Sequence, residues 1–73
     1  MRSMADEAKA LIENKLPARS SRVVRDVVSL LAEHGIDSSI DWQILRFPDK
    51  SSLTIGSDGV LTAHPPTKIR INR

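Results

Sequence analysis

The chain has 73 residues with no cysteine, one tryptophan, one phenylalanine and no tyrosine, and 11 Lys and Arg against 9 Asp and Glu for a net charge of +2. Such a length reads as a single small domain spanning 1–73, and without cysteine it excludes a disulfide framework and a thiolate zinc site. The basic excess is too slight to be the polybasic tail that binds nucleic acid by bulk charge alone.

Short apolar pairs such as Val23-Val24, Val27-Val28 and Leu30-Leu31 cannot span a bilayer, and no apolar stretch follows Met1-Arg2-Ser3-Met4. The expectation is a cytoplasmic protein with no membrane partner.

Two helices come first. Ser3 is an N-cap candidate with Asp6 three residues on, and Met4, Ala8, Leu11 and Ile12 form one stripe of a helix over about residues 4–15. Pro17 either ends that helix or opens the next. In the second helix Val23, Val24, Val27, Val28, Leu30 and Leu31 cover roughly 160° of the wheel, wider than the ~100° a core-facing helix needs. Ser20 or Ser21 is its candidate cap, with Pro17 an alternative start, and Gly35-Ile36 suits a left-handed C-cap with its apolar contact.

From residue 40 the period becomes that of strands. Ile40, Trp42 and Ile44 alternate, whereas Leu45 and Phe47 carry the opposite phase, so either both faces are covered or a bulge shifts the register near Leu45. Pro48-Asp49-Lys50-Ser51 is turn chemistry, Leu53 and Ile55 mark a short strand, Gly56-Ser57-Asp58-Gly59 a tight turn, and Val60–Ala63 the returning strand. Pro65-Pro66 interrupts, and Lys68-Ile69-Arg70-Ile71-Asn72-Arg73 alternates as a last strand would. The fold class is therefore α+β: two N-terminal helices packed on a small antiparallel sheet of three to four strands, ααβββ or ααββββ. Trp42 and Phe47 both read as core.

Chemistry-bearing residues are few. His34 with Asp37 and Asp41 is the one cluster to test as an acid–base or metal site, and its simpler reading is a histidine at the negative end of helix two beside solvated acids. No cofactor, small-molecule substrate or catalysis is expected. The charge pattern says more. Lys15, Arg19, Arg22 and Arg25 are four positives with no acid between Glu13 and Asp26, and Arg46 and Lys50 flank the first turn between strands. Arg19, Arg22 and Arg25 are spaced by three, so on a helix they form a ridge that, with Ser20 and Ser21, could hold phosphates.

The run Leu16–Val27, ending in Glu33-His34-Gly35-Ile36, resembles the turn and recognition helix of winged helix-turn-helix regulators, and the following hairpin with Arg46 and Lys50 stands where that family carries its wing. The resemblance implies that Arg19, Ser20, Ser21, Arg22 and Arg25 would face DNA. The leading expectation is different. A sheet with apolar side chains of both phases needs a cover that a helix of about 12 residues does not supply, which points to a non-enzymatic protein-interaction module. It would bind a protein partner or itself, as a homodimer, through the face or edge of its sheet, with Leu45, Phe47, Leu53, Lys68 and Arg70 as contacts. The alternative is a nucleic-acid-binding regulator using Arg19, Ser20, Arg22, Arg25, Arg46 and Lys50.

Overall fold

The computed structural model describes residues 2–66, so the strand expected over residues 68–73, with Lys68 and Arg70, lies outside the described residues. Helix α1 spans Met4–Lys15, a single 3-10 turn spans Arg19–Ser21, and helix α2 spans Val24–Glu33. Four strands follow, β1 Ser39–Asp41, β2 Ile44–Arg46, β3 Ser52–Ile55 and β4 Leu61–His64, paired antiparallel in the order β1-β2-β3-β4. The arrangement is the expected α+β one. Its four strands, however, are reached by splitting the first expected strand in two.

Local chemistry accounts for the helix ends. The Ser3 hydroxyl accepts from the Asp6 amide at 3.2 Å while the Asp6 carboxylate accepts from the Ser3 amide at 3.4 Å, a reciprocal capping box. At the far end of α2, Gly35 adopts φ +76°. The Ile36 amide then reaches Leu31 O at 2.8 Å and the Gly35 amide reaches Ala32 O at 3.1 Å, the paired bonds of a Schellman stop. The start of α2 departs from expectation. Ser21 Oγ donates to Ala18 O within the 3-10 turn, and the N-cap is Val23, which offers no side-chain acceptor. Held in extended backbone, Val23 falls off the apolar stripe and is 52% exposed.

The conflict of phase between Ile40 and Leu45 is resolved by a chain reversal, not by a bulge. Trp42 and Gln43 form a two-residue turn between Asp41 and Ile44, so Ile40 pairs with Leu45. Leu45, Leu53 and Ala63 then stand opposite one another on a face shared with Phe47, Ile55 and Leu61. Ala5, Ala8 and Ile12 of α1 and Val27 and Leu31 of α2 complete that one buried cluster. The alanines at 5 and 8 let α1 lie close against β3 and β4. The other face carries Arg46, Ser52 and His64 in one row and Ile44, Thr54 and Thr62 in the next, and it is polar apart from half-buried Ile44. Thr54 Oγ1 and His64 Nε2 meet there at 3.0 Å, and Arg46 pairs with Asp41 at 3.2 Å.

This overturns the premise of an apolar sheet face in need of an outside cover. Leu45, Phe47 and Leu53 share a single phase once the chain has reversed, and the protein's own two helices bury all three. They are core residues and present no docking surface.

The two longer hairpin loops share one geometry, each a three-residue connection ending in a residue at positive φ. Gly59 fills that position after Gly56-Ser57-Asp58 with φ +84°, and its amide bonds to Gly56 O at 2.9 Å. Lys50 fills it after Phe47-Pro48-Asp49 with φ +76°, its amide bonding to Phe47 O at 3.0 Å. Glycine is the ordinary occupant of such a site because a Cβ clashes there. Lys50→Gly is therefore expected to stabilise the protein by about 1 kcal/mol in denaturant titrations. An unchanged or lowered midpoint would contradict the geometry.

Candidate functional site

The two ends of the sheet are unlike. At one end the β2–β3 loop is locked onto the start of α1. The Asp49 carboxylate accepts from the Met4 amide at 2.7 Å and from the Ser51 amide at 2.9 Å, and the Ser51 hydroxyl also donates to it. Ser51 Oγ in turn accepts from the Ala5 amide at 3.0 Å. Two of the first α1 amides are thus capped by residues more than forty positions away, a tertiary cap that nothing in the local sequence announces.

The Met4 amide above all, and then the Ser51 hydroxyl, hold the Asp49 carboxyl below its usual range. A lowered folded value means that this stabilisation is complete above the ordinary aspartate range near ~3.9 and is lost as pH falls through it toward the folded value. Asp49→Asn should therefore flatten the fall of the thermal midpoint below about pH 4. An acid limb as steep as that of the parent protein would contradict this role.

The opposite end is open. It gathers the Trp42-Gln43 turn, the β3–β4 loop and the 3-10 turn leading into α2, joined by the Ile55 amide bonding to Gln43 O at 3.0 Å and by Arg22. The Arg22 side chain is 9% exposed and donates from Nε to Leu16 O at 2.8 Å, from Nη1 to Gly59 O at 3.1 Å and from Nη2 to Pro17 O at 3.5 Å. A guanidinium suits this task because its rigid fork can serve several carbonyls at once. Arg22 clamps the α1–α2 connection to the β3–β4 loop. Gly59 completes the clamp, since a Cβ there would come within 2.3 Å of Arg19 O.

Beside the clamp lies a cleft of ≈ 640 Å³ lined by Arg19 and Ser20, by the Gly56–Gly59 loop and by Val23, Val24 and Ile55. Four large apolar side chains of the described residues are exposed, and three of them, Trp42, Val23 and Val60, belong to this end of the sheet. Trp42 is 84% exposed, Val23 lines the cleft, and Val60 is 37% exposed beside Gly59, whereas Ile40, 46% exposed, stands mid-strand on β1 in the row of Leu45 and Leu53. Trp42 also has φ +65°, whereas Gln43 does not have positive φ. That is the pattern of a II′ turn, whose first central position ordinarily holds glycine. A bulky aromatic there is strained by about 1–2 kcal/mol. An indole left in water on strained backbone serves no packing purpose: Trp42, expected in the core, lies outside it.

The basic set is not brought together. Arg22 is consumed by the clamp, and Arg46 is paired with Asp41 on the polar face of the sheet. Lys50 sits in the loop at the far end, beside the Asp49 cap of α1. Arg19, Ser20 and Arg25 remain exposed at the start of α2, with Arg19 and Ser20 on the cleft. A wing would have to lie beside the start of α2, but the hairpin loop carrying Lys50 is held against the start of α1 instead.

His34 closes α2 with Nδ1 3.0 Å from Leu30 O, and among the described residues no three His, Asp or Glu side chains assemble into a metal-binding group. No helix among those residues is long and apolar enough to cross a membrane. Comparison with protein-family models, curated proteins and solved structures gives no match.

Proposed function

We propose that this chain is a small non-enzymatic binding module that docks a protein partner against the end of its sheet where Trp42 projects. The observation carrying the reading is an 84% exposed tryptophan on strained hairpin backbone, with Val23 and Val60 exposed at the same end of the sheet. Tryptophan is the side chain most enriched among residues that dominate interface energies, and it does so when a partner takes it out of water. The adjoining cleft offers the partner an apolar floor at Val23, Val24 and Ile55, with Arg19 and Asp58 as polar groups at its walls. The strain at Trp42 fits the same reading, because a residue selected for folding alone would be glycine or asparagine there.

The test is affinity capture from the source cell, with and without nuclease, using the parent protein, Trp42→Ala and, as a control on the polar face, Thr62→Ala. The expected result is a nuclease-resistant protein partner retained by the parent and by Thr62→Ala. For that purified partner, Trp42→Ala should raise Kd by about 30-fold, the ~2 kcal/mol of a central interface residue. A partner that binds Trp42→Ala equally well would overturn the reading. So would capture that disappears with nuclease and with Arg19→Ala, which would move the function to nucleic acid.

A further inference from the structure

Val23 stands at the start of α2, where a side-chain acceptor is wanted. Its backbone, φ −81° and ψ 149°, is the extended one from which serine, threonine, aspartate or asparagine caps a helix. The hydrogen bonds of the described residues leave the amides of Val24, Arg25 and Asp26 without an acceptor, so the first turn of α2 lacks the cap that Ser3 gives α1. A serine is at hand, but Ser21 Oγ turns back to Ala18 O. The capping position itself holds a β-branched apolar side chain that is half exposed.

Trp42 is the same kind of choice. It occupies a turn position suited to glycine and leaves a large apolar side chain in water. Lys50 also holds a glycine position, at the far end of the sheet, but its side chain is charged and belongs in solvent. Of the four exposed large apolar side chains of the described residues, Val23 and Trp42 are the two that also work against local folding. They meet at one place: Val23 lines the cleft, and so does Gln43, the neighbour of Trp42 in its turn. Departures from local preference that fall together mark a site kept for something other than folding.

The lining of the cleft states what it accepts. Val23, Val24 and Ile55 give it an apolar floor. Arg19 and Asp58 bring exposed charges of opposite sign, and the third charged residue, Arg22, is engaged with three carbonyls. An acidic group entering the cleft meets Asp58 and a basic one meets Arg19, each a like-charge penalty. An uncharged apolar side chain meets neither penalty, and it takes Val23 out of water.

Resting on the docking reading above, we propose that Val23 is its second anchor: the partner seats one large, uncharged apolar side chain in the cleft against Val23 while it covers the Trp42 indole.

The probe is a set of peptides selected from a random phage-displayed library on the immobilised parent protein, then measured against the parent, Val23→Ser, Val23→Thr and Trp42→Ala. Both hydroxyl variants supply the missing cap, so folding is kept in each. The expected result is a family of peptides sharing one leucine, methionine or phenylalanine position, with Kd raised about 10-fold by Val23→Ser through the lost contact of two methyl groups. Changing that shared peptide residue to alanine should weaken binding to the parent and have far less effect on binding to Val23→Ser, the coupling expected of side chains in contact. Val23→Thr, which keeps the shape of valine, should raise the thermal midpoint by about 4–8 °C. Peptides that need Trp42 but bind Val23→Ser as well as the parent, or that share an acidic or basic residue instead, would overturn the second anchor and leave the Trp42 reading standing. An unmoved midpoint in Val23→Thr would also overturn it. Peptides indifferent to Trp42→Ala, or a library that yields none, would remove the docking reading and this inference with it.

Discussion

Arg22→Met should cost about 2–4 kcal/mol of folding stability. The variant keeps the aliphatic stem but leaves the carbonyls of Leu16, Pro17 and Gly59 without their shared donor. The buried Gly59 carbonyl costs on the order of 1–3 kcal/mol when left unbonded, and the two part-buried ones, which water can reach, cost less. The total stability of a 73-residue chain is roughly 4–11 kcal/mol, so the variant would sit near the edge of unfolding. Arg22→Lys should fall between the two, because one ammonium cannot span all three carbonyls. Urea titration followed by circular dichroism measures both. A side chain that instead reached out to phosphate would leave the unfolding midpoint unmoved, and that outcome would return Arg22 to the basic ridge.

Leu53→Ala is the second large effect. Leu53 is fully buried at the centre of the sheet between Leu45 and Ala63, and truncating such a leucine costs about 3 kcal/mol through lost transfer energy and the cavity left behind. For a domain of this size that corresponds to roughly 12–24 °C in Tm. Were Leu53 part of an exposed docking face, the same change would alter Tm little and would act on association instead. Differential scanning calorimetry of the variant decides between these two positions for the side chain.

The parts of the fold legible in the sequence are those written in local spacing. The capping box at Ser3 and Asp6 and the Gly35-Ile36 stop depend on residues three to five apart, and the structure contains both. The stripe of α2 was equally readable, although its burial centres on Val27 and Leu31 with Val24, Val28 and Leu30 as a half-buried margin. What escaped was the reversal at Trp42-Gln43, because a two-residue hairpin is recognised by glycine, asparagine or aspartate and this one has none of them. The only trace it left was the inverted phase of Leu45 and Phe47, which is equally the mark of a bulge or of a strand covered on both sides.

That single ambiguity decided where a partner was expected to dock. With the turn in place, the excess apolar surface moves from the sheet face to the hairpin end. Arg22 escaped for a different reason. An arginine in a basic run reads as a surface cation, and its burial follows from carbonyls of Leu16, Pro17 and Gly59 that only the folded chain assembles. The Asp49 and Ser51 caps on α1 are of the same kind: the turn was visible in the sequence, but its second task was not.

Because Trp42 is the chain's lone tryptophan, its fluorescence reports on the proposed site without any label. In the free protein its emission should lie at the water-exposed limit and be quenched by iodide almost as freely as a model indole. With the captured partner at saturation it should move to shorter wavelength and lose most of that quenching. Emission already blue and protected in the free protein, or unaltered at saturation, would contradict a docking site built around this side chain.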